Sequence, residues 1–539
     1  MAMANTYTKN YTAQTTRPQS MLLPSRVRDV VGRMKVSVPQ NIYEADFEYN
    51  LQPMRWENFT ANTGSAGSIA SVVQFPGTGG VRMLVGNNSG DLTIRQSRPY
   101  HRYQPGKTMY MATAANFGAA TANNYQRIGF FDDSNGVFFE QGVVTANNPS
   151  GIYCVIRSDA GTVSLTDGTT ISNTPKDTKF SYETWYGDPV TALIDWTKIQ
   201  MLWLEYAWYG AGAIRWGVLL NGEPYVLHEV GAGNGNYTGN SQQSPWSRTG
   251  NLPVRYEQRN VGATSANSVL IHYGVSVMVE NRQDAQRGFT YSYGMTSTTP
   301  RRNVPAANTR FPVVSVRMNN MGVSEISGNS TVNPIVAATS NTTYLNVTGT
   351  PWVSNAYVGR AISIFNVGVA GNTMVGRIAN NTANTAYINE IISNTSPLPV
   401  SANAGNAYSI GLINRGQILP QSLIVSSDNT CIVELIVSTT ASPIVLTGAS
   451  MVSMNTIGSI NSLAQRDVSA TGLTGGEVIY AFTAPSGGSG LQTFDLTNVF
   501  ALYNNVRGNQ PDILTVAVST SSAAGANVGA HLVAQEAMS

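Results

Sequence analysis

The sequence predicts an all-β protein of several domains, and three observations carry that prediction. Short apolar runs rich in Val, Ile, Tyr, Phe and Trp recur along the chain, separated by Gly, Asn, Asp, Ser and Pro clusters. Two hairpin signals stand out, Asp132 to Gly136 between GFF and VFFEQ, and Asn221-Gly222 between IRWGVLL and EPYVLHEV. Heptads, collagen triplets and long-period repeats are absent from the sequence, which argues against an extended fibrous shaft.

The elements follow in chain order. Residues 1–60 read as an arm. Its first part is polar and rich in Thr and Asn. PSRVRDVVGRM then places Ser25 to cap a short helix, with Val27, Val30, Val31 and Met34 on one stripe. The segment NIYEADFEYNLQPMRWENFT predicts a strand ending at Pro53, followed by Trp56. An arm with an apolar helix suits clasping a neighbouring subunit and equally packing on its own body, and Val27, Val30, Val31, Met34 and Trp56 are the docking candidates.

Residues 61–290 predict a β-sandwich. The acidic turn at Asp132 reads as a plain hairpin turn. A calcium loop of the EF-hand type needs Gly at its sixth place and Glu at its twelfth, and here Gly comes fifth and phenylalanines follow. Ile199–Val230 is the most apolar and aromatic stretch, yet its longest unbroken apolar run is Met201 to Leu204. A membrane-spanning helix needs about 20 apolar residues. As strands the stretch works: Met201, Trp203 and Tyr209 face one way, and Leu202, Leu204, Tyr206 and Trp208 the other. That double-sided pattern predicts three consecutive strands at the heart of a sandwich.

The composition shifts after about residue 290. FPVVSVRMN, SLIVSSDNTCIVELIVS, EVIYAFTA and DILTVAVSTS predict a second sandwich, jelly-roll-like, from residues 291–331 and 413–539. Between them, 332–412 carries a weak internal echo (NTTYLNV with AYVGRAISI, NTAYINE with AYSIGLI) and predicts a small inserted β-barrel.

Charge is scarce. Asp, Glu, Lys and Arg make up 12% of the chain, about half the roughly 25% usual for soluble domains. The last lysine is Lys198, whereas arginines run the whole length. Lys is depleted and Arg enriched where protein surfaces meet, which points to a surface covered by other subunits. A net charge of +2 gives no reason to expect nucleic acid or an anionic membrane as the main partner. Cys154 and Cys431 are too few for a disulfide framework or a zinc cluster. The N-terminus lacks the apolar core of a signal peptide, which predicts synthesis in a cytoplasm without secretion.

Chemistry-bearing motifs are missing. The sequence has no nucleophile elbow, phosphate loop, dinucleotide fingerprint or HExxH. His101, His228, His272 and His531 are scattered, without metal-ligand spacing. Glu183, Asp188, Asp195 and Glu205 lie among Trp185, Tyr186, Trp196 and Trp203, a mixture that suits a sugar cleft. Trp185, Tyr186 and Trp196 are the glycan-contact candidates. No catalytic residue, metal or cofactor is expected.

FEYNLQPMRWE (47–57), GFFDDSNGVFFE (129–140), WLEYAWYGAGAIRWG (203–217) and NLPVRYEQRN (251–260) together resemble segments of virion structural proteins of tailed bacteriophages. NRGQILPQSL (414–423) and GGEVIYAF (475–482) are similar to the C-terminal sandwich of the same family. The resemblance implies a lectin-like sandwich of the LamG or concanavalin type followed by further β-domains. It also implies a place on the particle as a homo-oligomer, commonly a homotrimer. Head fibre, capsid decoration, baseplate and tail fibre stay open, with capsid, portal or neck, or baseplate proteins as partners. The expectation is therefore a non-enzymatic virion component made in the host bacterial cytoplasm. The alternatives are a receptor-binding adhesin for host surface glycans and a tailspike-type depolymerase. Residues 332–412 fall outside the resemblance.

Overall fold

The structure, a computed structural model, describes residues 38–61, 69–159, 176–185, 194–209, 212–231, 245–281, 288–306, 310–319, 321–330, 343–365, 373–393, 407–438, 442–454, 461–487, 492–496, 500–506, 508 and 510–537. Regular structure among them is strand, apart from short 3-10 turns such as Tyr182–Thr184. The helix expected at Ser25–Met34 lies outside the described residues, as do Val27, Val30, Val31 and Met34.

Two antiparallel sheets form the first sandwich. In the eight-stranded sheet the order is Glu223–Gly231, Ala213–Leu220, Gln200–Tyr206, Met109–Asn116, Ser268–Val279, Gly80–Val85, Ser71–Phe75, with Gln40–Ala45 paired to the far half of Ser268–Val279. In the seven-stranded sheet it is Lys176–Ser181, Ile152–Ser158, Gly136–Gln141, Asn124–Phe131, Val254–Asn260, Leu92–Ser97, Trp56–Ala61. Alternate residues of both sheets fill the space between. Leu202, Leu204, Tyr206, Trp216 and Val277 from one meet Ile128, Phe130, Phe139, Val254 and Tyr256 from the other.

This sandwich begins earlier than residue 61. Gln40–Ala45 and Trp56–Ala61 are strands of its two sheets, so the segment assigned to an arm belongs to its body from residue 40 onward. Trp56 is 1% exposed and packs against Tyr43, Phe47 and Tyr256. It is a core residue and cannot be a docking residue.

Ile199–Val230 supplies three consecutive strands, as the alternation predicts. Asn221 and Gly222 both take positive φ, 53° and 82°, the left-handed pair a two-residue hairpin demands. Gly217 faces Trp203 across the ladder, and a Cβ there would collide with the indole. The stretch is less central than its apolar weight suggests. Glu223–Gly231 is the edge strand, and Met201 on the outer face is half-exposed.

The C-terminal sandwich packs a five-stranded sheet, with Gln417–Ser427 and Ala526–Ala537 at its centre, on a six-stranded sheet built around Phe311–Met318, Ile513–Thr520 and Cys431–Val437. Val314, Val316, Leu423, Val433, Val516 and Leu532 are fully or almost fully buried between them. Inserted in it is a third unit, one six-stranded sheet running from Met321–Asn329 to Ala407–Ile413. Its end strands among the described residues are Met321–Asn329 and Thr343–Asn346, so the small inserted barrel takes the form of a half-barrel sheet. Ile362, Ile364, Ile378, Ile388 and Ile410 pack together with Trp352 and Tyr408 into its core.

Candidate functional site: an ionic relay across the seven-stranded sheet

One face of the seven-stranded sheet seals the core of the first sandwich. The other carries charge at alternate positions, the place that strand geometry gives to solvent-facing residues. Register brings opposite signs directly across from one another: Arg127 opposite Glu140, Arg127 opposite Glu257, and Arg157 opposite Asp177. Yet this face is not wet. Glu140 is 0% exposed, Arg255 0% and Arg127 7%.

Because water is excluded, each charge needs a partner, and the partners form a chain. Lys179 Nζ donates to Glu140 Oε1, while Arg127 Nε meets Glu140 Oε2 at 2.7 Å. Arg127 Nη1 reaches Glu257 Oε1 at 2.7 Å, and Glu257 Oε2 takes Arg255 Nη2 at 2.6 Å. Arg255 Nη2 also meets Asp133 Oδ1 at 2.7 Å, and Asp133 Oδ2 accepts Arg377 of the inserted sheet. Arg157 holds Asp177 with Nε and Nη2 at 2.8 and 2.9 Å. The arginines flank the contacting rings of Phe131 and Phe138, with guanidinium carbons 5.1–5.8 Å from the ring centres.

The acidic hairpin turn is where this network leaves the first sandwich. Asp132 Oδ1 accepts the backbone N–H groups of Ser134 and Asn135, both at 2.8 Å, which shapes the turn. Its Oδ2 takes Arg415, from the link between the inserted sheet and the C-terminal sandwich. Nearby, Asp159 accepts Arg248 at 2.8 Å and Arg360 at 3.3 Å. Three aspartates of the first sandwich therefore each receive an arginine from the later half of the chain. A plain turn, as read from the sequence, is too modest a description.

Three carboxylates of the network, Glu257, Asp132 and Asp177, are held ionised. Burial alone would raise Glu257, but Arg255 and then Arg127 outweigh it and hold the group at about 2. Burial also pushes Asp132 up, and Arg415 with the backbone N–H groups of Asn135 and Ser134 brings it below the usual range. Asp177 is likewise lowered, with Arg157 outweighing burial. A general acid for glycoside cleavage needs the opposite, a carboxyl raised so that it keeps its proton.

The residues singled out in the sequence do not assemble into a sugar cleft. Trp196 is 6% exposed and belongs to the core, and half-buried Trp185 donates its indole N–H to the Phe180 carbonyl at 2.8 Å. Tyr186 and Asp188 lie outside the described residues. Glu205 is buried beside Arg215 at 3.8 Å, while Glu183 and Asp195 are exposed on turns, with Asp195 capping the Thr197 N–H at 3.0 Å. Of the 8 tryptophans none is exposed, so none forms a sugar-stacking platform on the described surface.

His101, His228 and His272 are buried, and burial lowers each below its usual value: His101 to about 3, with Arg55 adding to the effect, and His228 to about 4. They stay neutral among aromatic rings, with Tyr256 stacked on His272 at 3.7 Å. Among the described residues no group of three His, Cys, Asp or Glu side chains could hold a metal ion, and no helix is long and apolar enough to cross a membrane.

Comparison with known proteins gives little beyond the fold. No family model matches the chain, and no curated protein does. Similar solved structures include a glycosyl hydrolases (GH) family protein 16 from Mycobacterium smegmatis, 10% identical, which covers 44% of this chain and 100% of its own at a TM-score of 0.28. A legume lectin-like domain from Entamoeba histolytica is 8% identical, covers 42% of this chain and 91% of its own, and scores 0.23. The Emp46p carbohydrate recognition domain is 12% identical, with 45% and 95% covered and a score of 0.24. Likeness at this level carries no argument about activity.

Proposed function

We propose that this chain is a non-enzymatic structural component of a tailed-bacteriophage virion, made in the host cytoplasm and assembled as a homo-oligomer, with a trimer expected, on the particle exterior. The observation that supports this most is the ionic relay. The carboxylates on the covered sheet face are spent on arginines, and the relay continues into the inserted sheet through Asp133 and Arg377. Such a design favours a durable, pre-set body over a site that must exchange protons with substrate. The scarcity of charge, the bias of Arg over Lys and the phage-like segments support the same reading. Capsid decoration or head fibre, and baseplate or tail fibre, are the places it fits.

The test is incorporation. Deleting residues 1–34 should leave the described body folded and remove it from particles. Normal incorporation of the shortened chain would refute the docking role of that segment.

A further inference from the structure

A cleft of about 1010 Å³ separates the first sandwich from the C-terminal one. That is at the top of the roughly 300–1,000 Å³ typical of ligand pockets. Its two walls are tied together by Arg98 and Asp512, a buried ion pair between the sandwiches, and Asp512 also accepts the Tyr503 N–H at 3.0 Å. The opening is therefore braced by the fold.

The walls differ in chemistry. On the first-sandwich side stand Arg55, whose guanidinium lies 4.6 Å over the ring of Tyr43, and Arg102, and among the described residues neither makes an ion pair. This sets them apart from the arginines of the relay. His101 beside them is held neutral by burial and by Arg55, so the wall's charge comes from the guanidiniums. On the opposite wall the strand Gln417–Ser427, bulged after Pro420, lines the cleft with Gln417, Leu419, Pro420 and Gln421, and the paired strand adds Gln535, directly across from Leu419. Each glutamine amide carries a donor and an acceptor in one plane. Pro99 and Leu419 supply apolar faces between them. The one carboxylate on the lining, Glu477, is exposed.

Planar amides suit hydroxyl groups, apolar faces suit the C–H faces of a sugar ring, and guanidiniums suit a carboxylate or phosphate. We propose that this cleft binds a short anionic oligosaccharide, with Arg55 and Arg102 on its charged group and Gln421 on its hydroxyls. Neither Trp185 nor Trp196, which the sequence offered for glycan contact, lines the cleft, and the proposal does not depend on a place in the virion.

The test uses the full chain and calorimetric titration with two anionic probes, oligogalacturonate and a phosphomannan oligosaccharide, against a neutral maltooligosaccharide. At least one anionic probe should bind, more weakly as salt rises, and the neutral one should not. Which of the two binds identifies the charged group as carboxylate or phosphate. Arg55→Ala and Arg102→Ala should each raise Kd at least about tenfold with an unchanged melting temperature, since a hydrogen bond to a charged group contributes about 1.5–3 kcal/mol. Gln421→Ala, which removes no charge, should weaken binding without changing its salt dependence. Failure of both anionic probes, equal binding of the neutral one, or unchanged Kd in the double arginine variant would overturn the proposal.

Discussion

Asp133 joins two units of the chain: one carboxylate oxygen takes Arg255 of its own sheet at 2.7 Å, and the other takes Arg377 of the inserted sheet. The partners Asp133 and Arg377 are 244 residues apart in sequence. Removing one member of a buried ion pair strands the other in low dielectric, at a cost of about 3–5 kcal/mol. The Asp133 side chain is 18% exposed, which places the cost of Arg377→Met toward the lower end. Hydrogen exchange in Thr373–Asn381 should accelerate in that variant, while exchange in Gln200–Tyr206 stays as in wild type. In a double-mutant cycle, Asp133→Asn with Arg377→Met should cost less than the two single changes summed.

Acid should loosen the relay. Glu257, Asp132 and Asp177 all have lowered values in the folded protein. Groups of this kind contribute stability above the unfolded carboxylate value of about 4 and lose it as pH falls toward the folded value. The melting temperature should vary little on these groups' account from neutral pH to about 5, then fall continuously toward pH 2, where Glu257 itself takes up its proton. A melting temperature rising between pH 5 and 3 would contradict the assignment.

Glu257→Gln removes the negative charge between Arg127 and Arg255. The expected result is a lower melting temperature. Release of reducing sugar from a panel of host capsule and cell-wall glycans should stay at background for both wild type and variant. Activity in the wild type that this variant abolishes would assign the carboxylate a catalytic role.

Trp56→Ala opens a hole among Tyr43, Phe47, Tyr256 and the Arg95 guanidinium, which lies 5.0 Å from the indole centre. Large-to-small changes of this kind cost about 3–5 kcal/mol. Chemical denaturation should therefore show the loss in the isolated protein, before any assembly partner is involved.

Local patterns read true where local physics decides. The alternation across Met201–Tyr206 and the Asn221-Gly222 turn are properties of a few adjacent residues, and both strands and turn form as expected. The domain boundary at residue 61 fails because Gln40–Ala45 finds its partner in Ser268–Val279, a pairing that no short window contains. The relay leaves a faint local trace: Arg127, Glu140 and Arg157 are single charges in strands that also carry apolar and aromatic residues, and Arg255, Glu257 and Arg259 alternate along Val254–Asn260. Their mutual pairing, and the capture of Asp132, Asp133 and Asp159 by Arg415, Arg377 and Arg360, exist only after the strands are in register and the two halves meet.

Quantitative mass spectrometry of gradient-purified particles from the producing host tests the building role most directly. A fixed copy number per particle, retained through high salt and repeated banding, is the predicted result. A chain found only in the soluble fraction, with particles complete and infectious without it, would contradict it.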